Sequence, residues 1–496
     1  MNDVSPIVAP YFVRRKVQAW VSSVVVIGLA LFLLRVLLLH GFVGFMAFLV
    51  PLLVIAWMFF ARERWWMIIP VAYSLGGVFY FGFKIYTYEM ALVLAFLALL
   101  PLLAVTRTKE QHRPTPPMSA YLLLGYIAIH LVVSEYLCMA SRQGGMGNLL
   151  RVYMQALWPL IFLVAFFRYG MTKYIKKVLI AMYLACAFRV ALGIVGYFAP
   201  RLLFVPFINF IMPASASGGM DLRSSALFLV PLALCYLALA RSRLAALPHI
   251  MIIALAGWLI LLGGGRISLG IFFAIVMLWA VFQRRFFLLI TLAVLLAPVI
   301  LIINATPRVI YHFPLRAQRT LSVLVKKSHA HDIHKTVTSS DAWHYYLMRL
   351  GAKNWLRSEK TFFLGNRIHP FDEASFRGLA SHSKTKAIVA AKMGSYESGL
   401  WTLLAVLGTV GTGLYLLTFW GLLRPIVPTL WRSGICNYTL AFCFLAVSGT
   451  ITWIVFSWIA GHFPSQEMMM AIIAKAAYDD ARHRKHSESG VATACT

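Results

Sequence analysis

The chain has 496 residues, of which 61% are hydrophobic and only 12% charged, and its formal net charge is +29. A soluble domain carries roughly 25% charged residues, so a soluble globular protein is excluded and a polytopic membrane protein is expected. In a soluble chain such an excess of cations would suggest nucleic acid. Here much of it falls in loops between apolar runs, where lipid headgroups and topology account for it.

A membrane-spanning helix needs about 20 apolar residues. In chain order the candidates are 19–39, 42–61, 65–83, 88–105, 119–137, 151–168, 177–199, 224–241, 247–263, 266–283, 286–305, 397–419 and 436–459, with a weaker one at 464–478 that Glu467 and Lys475 interrupt. Arg14, Arg15 and Lys16 precede the first run and no small-residue cleavage site follows it, so it reads as an uncleaved signal-anchor. With the N-terminus in the cytoplasm, the inner loops all carry cations, among them Arg62 and Arg64, Arg107, Lys109 and Arg113, Arg241 and Arg243, Arg284 and Arg285, and Arg424 and Arg432. The outer loops are poorer in charge, as the positive-inside bias requires. This alternation places 306–396 outside and both termini in the cytoplasm. The expected organisation is an N-terminal bundle of about eleven spans over 1–305, an extracytoplasmic loop domain over 306–396, C-terminal spans over 397–479 and a basic cytoplasmic tail over 480–496.

The 306–396 segment is the only long break in the apolar pattern. It holds fifteen Lys and Arg against five Asp and Glu, and seven of the chain's 14 histidines. Its charge suits an anionic ligand. Trp343, Tyr345, Tyr346, Trp355, Phe362 and Phe363 are enough to build a small core, which argues against a merely solvated connector. The stretch His329-Ala330-His331-Asp332-Ile333-His334 has metal-binding residue types but no clear fourth ligand, so no metal is assigned. In Phe362-Phe363-Leu364-Gly365-Asn366-Arg367-Ile368-His369-Pro370, Gly365 suits a tight turn and His369 can titrate near neutrality. The six cysteines, five of them in or beside apolar runs, read as small apolar fillers rather than disulfides.

Ionisable residues at the outer boundary of the spans are the functional candidates. Arg266 follows the turn Gly263-Gly264-Gly265, where glycines let a ligand or another backbone come close. Arg223 opens the span at 224–241 and faces the same side, with Arg201 as a further candidate. Two arginines there suit a diphosphate; snorkelling to headgroups is the structural alternative. Asp221 reads equally as a structural partner for an arginine or as a catalytic group, and Glu135 as a structural partner. His130 reads as a hydrogen-bonded helix-packing residue.

Three features together resemble the O-antigen polymerase and ligase superfamily of bacterial membrane glycosyltransferases. The first is Gly263-Gly264-Gly265-Arg266-Ile267-Ser268-Leu269-Gly270, which looks like that family's Ser-Arg-rich segment. The second is the large external loop late in the chain. The third is Trp355 through Gly365 followed by Glu397-Ser398-Gly399, with Gly408 and Gly411 aligned on the family's Gly-x-x-Gly step. Glu397 then stands where many members have the histidine proposed as base, and Ser398 where they have asparagine.

The resemblance implies an all-α polytopic fold of the C-type glycosyltransferase kind with a large extracytoplasmic loop, in the bacterial cytoplasmic membrane. It implies inverting transfer of a glycan from undecaprenyl diphosphate at the periplasmic face, onto a growing polysaccharide, with chain-length regulator and flippase as further partners and no cofactor. Arg223, Arg266 and Arg201 would hold the leaving diphosphate and Glu397 would be the base, with His369 and His382 next in line. Capping of the following helix, or pairing with a loop cation, is the structural alternative for Glu397. A ligase passing the glycan to lipid A-core differs only in acceptor. Glu397 in place of histidine favours the polymerase. A lipid-linked sugar flippase is the alternative outside enzymes, although no inverted repeat is visible.

Overall fold

The computed structural model describes residues 57, 60–61, 64–80, 84–105, 115–140, 146–169, 172–198, 218–263, 266–322, 331–366, 388, 396, 398–456 and 464–494. Two compact units are distinguished. The smaller comprises Met1–Trp65 and Val93–Arg107; among its described residues, the Trp57 indole N–H donates to the Leu94 carbonyl at 3.1 Å. The larger comprises Trp66–Leu92 and Thr108–Thr496.

Among the described residues the protein is helical apart from one short ribbon. Four helices among the described residues are long and apolar enough to cross a membrane: Thr172–Val195, Arg243–Gly263, Gly399–Leu423 and Tyr438–Phe456. This is consistent with a membrane protein.

One expected span is corrected. Residues 65–83 do not form a continuous helix. Helix α1 (Ile68–Leu75) stops at Gly76, and β1 (Val78–Tyr80) pairs antiparallel with β2 (Lys84–Tyr86). Gly76 and Gly77 take φ of 60° and 104°, which is open to glycine but strained for other residues and ends the helix. Valine, isoleucine and aromatic residues then favour strand. An apolar count is the same for a ribbon and a helix, so hydropathy cannot separate them.

The next helices are α2 (Thr87–Val105), α3 (Met118–Ala140), α4 (Met146–Tyr169), α5 (Ile175–Phe198), α6 (Gly218–Leu239), α7 (Arg243–Gly263), α8 (Arg266–Phe282) and α9 (Phe286–Ala305). Only a few residues separate α6, α7, α8 and α9, so they form a run of antiparallel hairpins, with α6 packed on both α7 and α8. It follows that the N-termini of α6 and α8 and the C-terminus of α9 lie at one end of the bundle. After a 3-10 segment come α10 (Leu315–Leu321), α11 (His331–Trp355) and α12 (Glu359–Leu364). The chain closes with α13 (Gly399–Leu423), α14 (Ile426–Ser433), α15 (Tyr438–Phe456) and α16 (Ser465–Ala494).

The opposite end is fixed by Arg284, which donates to the carbonyls of Trp431 and Arg432 at 3.4 Å, and by the Thr429–Tyr478 hydroxyl pair at 2.9 Å. Hence α13 runs away from the Arg266 end and α15 returns to it. α16 starts there and reaches the far side by Tyr478, about 20 Å along its axis at 1.5 Å per residue. It then runs on as helix through residues that read as a tail.

In lipid, association between helices rests on close packing rather than on escape from water. α15 is buried almost all round, with Ala441, Phe442, Cys443, Phe444, Ala446 and Val447 at 0% exposure. Its small residues admit thiol contacts: Cys235 reaches the Ala441 carbonyl at 3.3 Å, and Cys443 reaches that of Ala474 on α16 at 3.7 Å. Cys186, Cys235 and Cys443 are buried free thiols.

The late polar segment is seated on α13 by a glycine-to-glycine contact. Gly408 breaks α13, with φ 69° and ψ −174° inside an otherwise helical run. Gly365 ends α12 with φ 85°. A Cβ on either glycine would strike the other segment's backbone, Val406 in one case and Phe363 in the other. The groups freed by the break find partners. Tyr126 donates to the Leu407 carbonyl at 2.5 Å, and Thr409 donates to the Phe362 carbonyl at 2.8 Å. The Trp355 indole also donates to Phe362, at 2.9 Å. Upstream, Ser358 and Thr361 form a reciprocal capping box that starts α12. Leu347, Leu350, Tyr396 and Ala405 form a small core, with Trp343, Tyr346 and Trp401 packed against it.

Candidate functional site

Arg223 lies five residues into α6, because the helix begins earlier than the apolar run, at Gly218. Arg266 is the first residue of α8. Both side chains are partly buried, both have interaction partners, and the helix connectivity puts both at the same end of adjacent, parallel helices. Arg201, Glu397, His369 and His382 lie outside the described residues.

The neighbours of position 397 are described. Tyr396 is buried at 1% exposure. Its hydroxyl accepts from Asn354 at 3.0 Å and from Asn366 at 3.1 Å, and its N–H donates to Thr402 at 3.2 Å. Ser398 is fully buried and caps α13, its hydroxyl accepting from the Trp401 N–H at 3.4 Å. Ser398 thus supplies the capping oxygen that the start of α13 needs. Tyr396 ties the end of the 306–396 segment to both α11 and the turn after α12.

His130 is a second junction. It is 6% exposed. A carbonyl can only accept, so Nε2 carries the proton and donates to Leu364 at 2.6 Å, leaving Nδ1 to accept from the Tyr153 hydroxyl at 2.5 Å. Ser134 in turn donates to Tyr153 at 3.0 Å. The chain Ser134–Tyr153–His130–Leu364 joins α3 and α4 to the end of α12.

Inside the bundle is a cavity of about 240 Å³. Its wall includes Ser224, next to Arg223 on α6, and Ile271, five residues after Arg266 on α8. It also includes Ser74 at the end of α1, Thr452 near the end of α15, and Gln466 and Glu467 in the first turn of α16. All these positions are near the helix ends at the Arg223 and Arg266 side, so the cavity occupies that half of the bundle. Neither arginine lines it. Its one acidic side chain is Glu467, which lies against Gly449 of α15 and makes no ion pair among the described residues.

In the sequence, Glu467 reads as an interruption of a weak span. The available signal was its charge: an acid opening an otherwise apolar helix at membrane depth is a site candidate by default. Behind the cavity wall, the Arg189 guanidinium stands 5.9 Å from the ring centre of Phe228 and packs on Gly76. No protein-family model matches this chain, and no characterised protein is significantly similar to it.

Proposed function

We propose that the protein is a polysaccharide polymerase of the bacterial cytoplasmic membrane. It joins oligosaccharide units carried on undecaprenyl diphosphate by inverting glycosyl transfer at the periplasmic face. The observation that carries this reading is the placement of Arg223 and Arg266 at one end of adjacent, parallel helices. That same end is where α9 delivers the chain into the 306–396 segment and where α13 takes it back.

Departure of a diphosphate develops negative charge, and forked guanidinium donors stabilise it without a metal. The acceptor hydroxyl has a pKa far above neutrality and needs a base within about 3 Å as the new bond forms. Glu397, between the anchored Tyr396 and the buried cap Ser398, is assigned that role. The new C–O bond forms at the anomeric carbon as the bond to the diphosphate oxygen breaks. The hydroxyl proton passes to the carboxylate, and undecaprenyl diphosphate leaves. The acceptor is the growing polysaccharide; transfer to lipid A-core would use the same donor chemistry.

The test is Arg266→Lys, and Arg223→Lys beside it. Lysine keeps the charge but loses the planar fork. Polymer yield per folded molecule should fall on the order of 10²-fold, the scale of losing one transition-state donor, with normal protein level. Near-normal polymer from both variants would mean that these arginines only snorkel to headgroups.

A further inference from the structure

The cavity near the arginine-bearing helix ends has a wall chemistry that the reading above does not use. Three of its four hydroxyls have already committed their protons. Ser74 donates to the Pro70 carbonyl at 2.8 Å, Ser448 to Leu445 at 3.2 Å and Thr452 to Ser448 at 2.7 Å. What they present to the cavity is oxygen lone pairs. Pro231 has no N–H to return to the carbonyl of Leu227, four residues earlier on the same wall, so that carbonyl is a further acceptor. Glu467 adds a carboxyl group with no ion-pair or side-chain hydrogen-bond partner among the described residues. Its own backbone N–H reaches it, which leaves most of the accepting capacity of a buried carboxyl group unmet, and that is costly. With the Gln466 amide beside it, the wall offers more acceptors than donors and suits a ligand that brings hydroxyl groups.

The other side of the cavity is apolar. α8 contributes only Ile271 and Ile275, and α6 contributes Phe228 and Leu232 beside Ser224. A bare cation would need neither this apolar side nor this room. The size also fits: a cavity of about 150 Å³ holds a benzene ring, so about 240 Å³ has room for one six-membered ring with its substituents. A pyranose has the matching character, with hydroxyl donors at its edge and a C–H face for Phe228 and the isoleucines.

We propose that this cavity is a subsite for a single sugar ring, with the Glu467 carboxyl group hydrogen-bonding its hydroxyls and Phe228, Ile271 and Ile275 packing its apolar face. In taking that ring as a residue of the acceptor glycan, the assignment rests on the glycosyl-transfer reading. The saccharide chemistry of the cavity does not.

The full-length protein in detergent is treated with dicyclohexylcarbodiimide, an apolar reagent that adds to carboxyl groups, and the adduct at Glu467 is quantified by mass spectrometry. Competitors are the methyl glycosides of the sugars in the repeat unit, with methylammonium and sodium ions in parallel. The expected result is an adduct at Glu467 that at least one glycoside suppresses about tenfold, corresponding to 1.4 kcal/mol of binding difference, while the cations do not. Gly449→Ala should behave as wild type, because the nearest atom to the added methyl is Glu467 Cγ at 4.0 Å. Gly449→Leu should fill the cavity and lose both labelling and protection, and Glu467→Gln should lose the adduct.

No labelling in the wild type, no suppression by any glycoside, or suppression by methylammonium or sodium instead overturns the subsite. If suppression is absent while the wild type still releases undecaprenyl diphosphate from a lipid-linked donor, the subsite falls and the glycosyl-transfer reading stands. If a glycoside suppresses labelling but no diphosphate is ever released, the sugar site stands and glycosyl transfer falls.

Discussion

Replacing Gly365 by alanine probes the contact that seats the late polar segment on α13. Two costs add. At φ 85° and ψ 167° the backbone is in a region open essentially to glycine, a strain of roughly 1–3 kcal/mol for an L side chain. The new methyl also meets the Val406 carbonyl and the Gly408 nitrogen, both backbone, so no rotamer relieves the overlap. Moving Gly365 away stretches the two hydrogen bonds that Trp355 and Thr409 give to Phe362, each contributing roughly 0.5–1.5 kcal/mol net. The total is roughly 2–6 kcal/mol of docking free energy. The assay is hydrogen exchange at the amides of α12 and around the α13 break, read beside thermal unfolding in detergent. Gly413→Ala is the control. It lies on the same helix with nothing within 4 Å of its added methyl, so alanine should be neutral or stabilising by up to about 1 kcal/mol. Equal exchange and equal unfolding for the two variants would refute the reasoning.

Three further outcomes are expected. His130→Ala leaves the Leu364 carbonyl without its ring donor, at roughly 1–3 kcal/mol for a buried group left unsatisfied, while Tyr153 keeps Ser134, so melting in detergent should drop measurably; unchanged melting would mean that the junction is dispensable. Glu397→Gln keeps size and hydrogen bonding but removes basicity, so the protein should bind the lipid-linked donor normally and make little polymer per folded molecule. Most of the activity surviving would send the search for a base to His369 and His382. A cysteine at Ser328 should react with an impermeant maleimide in intact spheroplasts; reaction only after permeabilisation would overturn the outward placement of 306–396.

The helices themselves were largely legible in the sequence. The run at 286–305 coincides with α9 because Arg284 and Arg285 close it on one side and Thr306-Pro307 on the other. Hydropathy failed where backbone geometry decides. The two glycines at 76 and 77 turn an apolar stretch into a ribbon, and Gly408 breaks a helix that reads as continuous. Such breaks are stabilised by partners distant in sequence, here Tyr126 and Phe362, which no local window contains. The site divides in the same way. Arg223 and Arg266 stand out because arginine is rare at the edge of an apolar run. The meaning of Glu467 depends on α1, α6, α8 and α15 closing a cavity around it, and that follows from packing alone. His130 was legible as a packing residue, but its partners on α4 and α12 were not.

The central claim is glycosyl transfer with loss of a lipid diphosphate. Purified protein in liposomes, given the lipid-linked repeat unit, tests it directly. Each new linkage should release one molecule of undecaprenyl diphosphate while the glycan lengthens, and Arg266→Lys should abolish both together. Movement of intact lipid-linked glycan across the bilayer, with neither lengthening nor diphosphate release, would contradict it and identify a transporter.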